Sequence, residues 1–129
     1  MLVDSTFLHD LVRGEDAAVA TLDELITDGT PVVLSPLTVF EVGVGLRGDA
    51  AGLRERFQGV VDDTDLAPLG REQAERALSI QRRLYDQGEP IGPVDVLLAG
   101  TAATLSDPRV LTRNVDAFQR VGEIDVETY

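Results

Sequence analysis

Short runs of purely apolar residues alternate along the chain with longer stretches in which apolar positions recur every three or four residues. The first pattern is that of a strand buried on both faces, the second that of a helix with one face inward. Leu2-Val3 predicts a short strand. Asp4 ends it and can cap a helix running to about Arg13, where Gly14 breaks it. Glu15 to Asp28 carries Ala18, Leu22, Leu25 and Ile26 as a helical stripe, with Glu15 and Asp16 in a first turn whose dipole suits them. Val32-Val33-Leu34 reads as the next strand. Ser35-Pro36 then supplies a cap and a first-turn proline for a helix to about Leu46. Further helices are expected over Asp49 to Val61, over Glu72 to Gln87 (Ala74, Ala77, Leu78, Leu84 and Tyr85 on one face), and from Gly92-Pro93 to about Leu105. Asp65 to Leu69 is a weaker strand. Val110-Leu111 is a short one, followed by a brief helix from Val115 to Arg120 and an edge strand at Ile124 to Val126.

Such an alternation predicts an α/β fold: a three-layer sandwich with a short central parallel sheet flanked by helices. There is no internal repeat and no linker, so one domain over residues 1–129 is expected. In open parallel sheets ligands sit beyond the carboxyl ends of the strands. The polar residues to weigh are those just after a strand or on a helix facing that edge.

Composition narrows the chemistry. The net charge is −12, from 23 acidic and 11 basic residues. Every basic residue is Arg, which excludes a phosphate-loop or Schiff-base lysine. There is no cysteine and one histidine, His9, so thiolate chemistry and a multi-histidine zinc site are excluded too. Any catalysis must rest on carboxylates, hydroxyls, Arg or a bound metal. No apolar stretch reaches the roughly 20 residues of a membrane helix, and Met1-Leu2-Val3-Asp4 does not open like a signal peptide. A cytoplasmic protein is expected. The acidity without Lys suits a source rich in salt, where charge repulsion is screened within about 3 Å at 1 M.

Four carboxylates stand out. Asp4 directly follows the first strand and is either a helix cap or a ligand at the sheet edge. Glu41 lies in an otherwise apolar helix, flanked by Leu37, Phe40 and Val44. A buried carboxylate there needs a cation, an Arg or a metal. Asp95 follows Gly92-Pro93 in an apolar stretch and is either a first-turn acid or a buried ligand. Asp116 comes just after a strand, where Thr112 or Asn114 can cap the short helix it begins. Asp62, Asp63 and Asp65 cluster in a loop, and Asp10, Asp16, Asp23 and Asp28 read as solvated helix faces.

Together, Leu2-Val3-Asp4-Ser5-Thr6-Phe7, Ser35 to Val42 with its helix acid, Ile91 to Ala99, and Leu111-Thr112-Arg113-Asn114 followed by Phe118 resemble the PIN-domain ribonucleases, in particular the VapC-type toxins of toxin–antitoxin pairs. The resemblance spans nearly the whole chain. It implies a cluster of acids that binds Mg²⁺ or Mn²⁺ and cuts RNA, leaving a 5′-phosphate and a 3′-hydroxyl. Asp4, Glu41 and Asp95 match residue by residue. Asp4 and Asp95 would be the main metal ligands, and Glu41 would bind through water or orient the attacking water. The fourth position departs from the pattern, so either Asn114 or Asp116 completes the shell. Ser5 and Thr112 fall where the family has hydroxyls near the cluster. The resemblance also implies a homodimer, with the apolar helices of the N-terminal third in part of the contact. It implies inhibition by a small antitoxin in the acidic groove.

The chemistry accords with this composition. A hard divalent ion takes oxygen ligands and relieves the repulsion of clustered carboxylates, with no His or Cys required. The net charge opposes RNA binding, so local cations are needed. Arg113, beside the expected site, and Arg47, after the Glu41 helix, are candidates for phosphate contacts. His9 reads as an ordinary partly buried histidine. The alternative function is a PIN-like interaction module without activity, kept open by the unusual fourth position. A phosphatase using Asp4 as nucleophile lacks the acid two residues on, where Thr6 stands, and lacks Lys.

Overall fold

The computed structural model describes residues 1–48 and 52–129. Among these residues five parallel strands run β1 (Leu2–Val3), β2 (Val33–Leu34), β3 (Asp65–Leu66), β4 (Arg109–Leu111) and β5 (Asp125–Glu127), in the sheet order β3-β2-β1-β4-β5. Among the described residues seven helices cover this sheet: α1 (Ser5–Val12), α2 (Asp16–Thr27), α3 (Pro36–Gly45), α4 (Leu53–Asp62), α5 (Arg71–Asp86), α6 (Pro93–Ala103) and α7 (Val115–Phe118). The expected α/β layering is therefore the observed one. The expected helix start at Asp49 lies outside the described residues.

Alternation along the central strands builds two cores. Leu2 pairs with Val110, and Val3 with Leu111. Leu2 and Val110 face a cluster with Ala77, Ile80, Leu84, Leu98 and Phe118, supplied by α5, α6 and α7. Val3 and Leu111 face Phe7, Leu8, Val12, Ala18, Leu34 and Val42, supplied by α1, α2, β2 and α3. A strand two residues long cannot hold a sheet by its own hydrogen bonds. Burial on both faces is what fixes its register, because a slip of one residue would exchange the two cores.

Three helices bury a different stripe from the expected one. On α5 the inward positions are Gln73, Ala77, Ile80 and Leu84, while Leu78 and Tyr85 are exposed. On α3 the inward positions are Thr38 and Val42, while Phe40 and Val44 are exposed. On α2, Ala18 and Leu25 are buried and Ile26 is exposed.

Strand order reverses at β1, with β2 on one side and β4 on the other. The carboxyl end of β1 is thus the switch point of the sheet, where the chain leaves a crevice between diverging connections. Asp4 stands at that point.

Candidate active site

Asp4 is held by three elements at once. Its backbone N–H donates to Leu111 O of β4 at 3.2 Å. As the cap of α1, its Oδ1 accepts from Phe7 N at 3.1 Å and from Thr6 Oγ1 at 2.6 Å. Its Oδ2 accepts from Thr112 Oγ1 at 2.5 Å, just past β4. Asp4 therefore caps α1 and at the same time stands at the carboxyl edge of the sheet. The side chain is 3 % exposed. Burial pushes its pKa up against the hydrogen bonds from Thr112, Thr6 and Phe7, which pull it down.

Asp95 occupies the first turn of α6 and is half-buried. Its pKa is also raised, by burial first, then by the charge of Asp4 and then by that of Glu41. That ordering is the geometric link: three acids distant in sequence share one electrostatic environment at the edge of the sheet. Neither Asp4, Glu41 nor Asp95 is tied up in an ion pair among the described residues. They do not form a finished cage, since no group of three His, Asp or Glu among the described residues is gathered closely enough to hold an ion as it stands.

Glu41 corrects one expectation. Its apolar neighbours suggested burial, yet it is exposed. The reason is the narrow stripe by which α3 packs: Thr38 and Val42 turn inward, and the Phe40–Glu41–Val44 face is left uncovered. Glu41 is thus the exposed acid of the three, and Asp4 the buried one.

At the fourth position the two candidates separate. Asn114 Nδ2 donates to Asp95 Oδ2 at 3.4 Å, and Asn114 N donates to Thr112 Oγ1 at 2.8 Å. Asp116 lies exposed in the first turn of α7 and makes no hydrogen bond or ion pair with the other acids among the described residues. The turn from Thr112 brings Asn114 back to the site and leaves Asp116 two residues into the helix. Ser5 and Thr6 are partly buried beside Asp4, Thr112 is fully buried, and Arg47 is exposed.

Arg113 is where the sequence placed it, but it is not a free cation. One terminal nitrogen lies 2.9 Å from both carboxylate oxygens of Asp10. Its guanidinium sits 5.9 Å from the ring centre of Tyr129, whose hydroxyl donates to Asp10 at 2.6 Å. Asp10, expected on a solvated face, is 4 % exposed. His9, expected partly buried, is exposed, and its Nε2 accepts from Arg13 Nε at 2.9 Å. The α1 phase explains both: Asp10 is three residues after buried Phe7 and shares its side of the helix, while His9 falls outside it. Asp10 was detectable as an acid on the apolar stripe. Thr6 was detectable as a hydroxyl two residues after a cap. Tyr129 meets the site only through tertiary folding and left no local signal.

The oxygen donors suit a hard divalent ion. Asp4, Asp95, Glu41 and Asn114 offer carboxylate and amide oxygens, and the pKa of Asp95 is raised in part by the neighbouring charges of Asp4 and Glu41.

Known proteins share this architecture and sequence. A family model described as the PIN domain matches residues 1–124. Ribonuclease VapC19 of Mycobacterium tuberculosis is 37 % identical over 121 residues, 91 % of this chain and 90 % of the relative. Ribonuclease VapC of Rickettsia bellii is 27 % identical over 136 residues, 99 % of this chain and 95 % of the relative. Among solved structures, VapBC2 of Rickettsia felis bound to a DNA fragment from its promoter superimposes with a TM-score of 0.87 at 14 % identity, over 99 % of this chain and 97 % of that one, a likeness of fold. FitAB bound to the IR36 DNA fragment gives a TM-score of 0.82 at 25 % identity, over 98 % and 93 %. By the near-complete domain match and the shared sequence with the ribonuclease relatives, the chain belongs to the PIN-domain family, on its VapC branch.

Proposed function

We infer that this chain is an endoribonuclease that hydrolyses RNA phosphodiester bonds with a carboxylate-held divalent ion, Mg²⁺ or Mn²⁺, and that it is the toxin of a toxin–antitoxin pair. The observation that carries the reading is that Asp95, near the switch point of the sheet, lies close enough to Asp4 and Glu41 for both their charges to raise its pKa. It is supported by the ribonuclease names of the similar VapC proteins. The whole of residues 1–129 is read as one domain.

When bound, the ion lowers the pKa of a water and absorbs charge on the phosphoryl oxygens. The protein's part is to hold and to orient. Asp4 is the rigid ligand, because three hydrogen bonds fix its carboxylate. Asp95 is the second ligand, and Asn114 restrains it with a neutral donor. Exposed Glu41 orients the attacking water and accepts its proton. The water oxygen bonds to phosphorus as the bond from phosphorus to O3′ breaks. The leaving O3′ takes a proton from solvent water, so the products carry a 5′-phosphate and a 3′-hydroxyl. Arg113 contributes positive charge next to this centre.

Incubation with total RNA and Mg²⁺ or Mn²⁺ tests the activity. Cleavage by the wild type, abolished by chelator and reduced at least a thousandfold (~4 kcal/mol in barrier) in Asp4→Ala, is expected. Equal cleavage by that variant contradicts the assignment of Asp4.

The partners follow from the same reading. A solved structure of like fold is a toxin–antitoxin complex from Klebsiella pneumoniae, and we read an antitoxin seated over the acidic groove here. The exposed Phe40 and Val44 on α3 support a homodimer through this region. Light scattering reads the dimer directly: a monomer mass at micromolar concentration speaks against it. A cytoplasmic site of action accords with an RNA substrate, and among the described residues no helix is long and apolar enough to cross a membrane.

A further inference from the structure

Beside the carboxylates lies a second concavity of about 320 Å³, lined among others by Ser5, Thr6, His9, Arg13, Glu41 and Arg113. Ser5 and Thr6 join it to Asp4, so it is contiguous with the cutting centre. Its cations are Arg13 and Arg113. Arg13 makes no ion pair among the described residues. Its one side-chain partner there is the imidazole of His9, which holds Nε at 2.9 Å and leaves both terminal nitrogens for a ligand. Arg113 spends one terminal nitrogen on Asp10, while its Nε and other terminal nitrogen have no hydrogen bond among the described residues. Its position is set from behind. Tyr129 donates to Asp10 and lies against the guanidinium, and Arg113 N donates to Thr6 Oγ1 at 3.0 Å. Glu41 is the one acid among the described residues lining this space.

We propose that this concavity seats a backbone phosphate of the RNA strand next to the phosphate that is cut, with Arg13 and Arg113 as its two cations and with Asp10 and Tyr129 positioning Arg113. The proposal rests on the ribonuclease reading and deepens it. A strand approaching a chain of net charge −12 needs local positive charge where it docks. Guanidinium groups suit phosphate oxygens in shape and in fixed charge. A pre-ordered Arg113 loses little entropy on binding.

Binding and cleavage are measured separately. On an Asp4→Asn background, which leaves RNA intact, anisotropy of a fluorescein-labelled pool of single-stranded RNA reports affinity across a salt series. Arg13→Gln and Arg113→Gln are each expected to raise Kd about tenfold at low salt and to reduce the slope of log affinity against log salt by about 0.7. Arg71→Gln, exposed on α5, changes neither. With Asp4 restored, Tyr129→Phe raises KM for cleavage a few-fold at unchanged kcat. Equal Kd and equal salt slope in Arg13→Gln and its parent overturn the subsite. A fall in melting temperature with KM unmoved removes Tyr129 from it. Absence of cleavage by the chain with Asp4 intact, with the arginine effects on binding preserved, overturns the ribonuclease reading and leaves an RNA-binding pocket.

Discussion

Asp4 shows how one residue serves fold and chemistry together. Its Oδ1 caps α1, and its Oδ2 ties β4's end to β1's end through Thr112. Removing its charge costs local structure as well as a proposed ligand, so Asp95 is the cleaner probe. Both carboxyls have raised pKa values, so the folded state holds their protons to higher pH than the unfolded chain, whose aspartates titrate near 3.8. Stability from these two groups is therefore greatest below that value and is lost as pH rises through their folded pKa values. Asp107 has the opposite sign. Its hydrogen bond to Arg109 holds it well below the usual carboxylate range, and its contribution is lost as pH falls. The difference between wild type and Asp95→Asn isolates the effect. In chelator, the variant is expected to melt higher than wild type at pH 7, with the gap closing toward pH 4. A variant that melts lower at pH 7 would show that Asp95 is not electrostatically strained.

At the scale of elements, most of the architecture was readable. Paired apolar residues flanked by caps located β1, β2 and β4, and Ser35-Pro36 located the start of α3, where Ser35 Oγ accepts from Leu37 N. What could not be read was which side of a mostly apolar helix faces inward. On α3 almost any phase satisfies the pattern, so Glu41 looked buried when it is exposed. Nor could local pattern separate Asn114 from Asp116, because that choice depends on how the turn after β4 meets α6. One contact between elements is nonetheless written in a single residue. Gly100 of α6 lies against α5 so closely that an added Cβ would stand 2.7 Å from Ala77 N and 2.8 Å from Ala77 Cα. Backbone cannot step aside cheaply, so Gly100→Ala is expected to destabilise the fold by about 1–3 kcal/mol in denaturant titration. An unchanged midpoint would mean that α5 and α6 do not pack this closely.

At the scale of the molecule, charge and topology pull in different directions. The reversal of strand order at β1 makes a crevice and brings the ends of β1, β4 and β5 together, with Thr112 N donating to Glu127 O at 2.9 Å. The net charge of −12 works against both folding and RNA binding unless it is screened. A chain suited to a salt-rich interior is the reading that reconciles them. It predicts that dialysis from molar to low salt lowers the melting temperature markedly, and an unchanged melting temperature speaks against it. The proposed divalent-ion site, by contrast, belongs to the crevice and not to the surface as a whole. Its candidate acids Asp4, Glu41 and Asp95 were legible because each sits near a strand end or on a helix facing that edge. The Arg113–Asp10–Tyr129 assembly was not, because its members are 103 and 119 residues apart along the chain.

The central claim is that Asp4, Glu41 and Asp95 meet around a divalent ion, and thermal unfolding during a Mn²⁺ titration tests it most directly. At a hundred times its dissociation constant the ion adds about 2.7 kcal/mol to the folded state, a shift of roughly 10 °C for a chain of this size. The account predicts that shift in the wild type and its loss in Asp95→Asn. No shift in the wild type, or one of equal size in the variant, would contradict it.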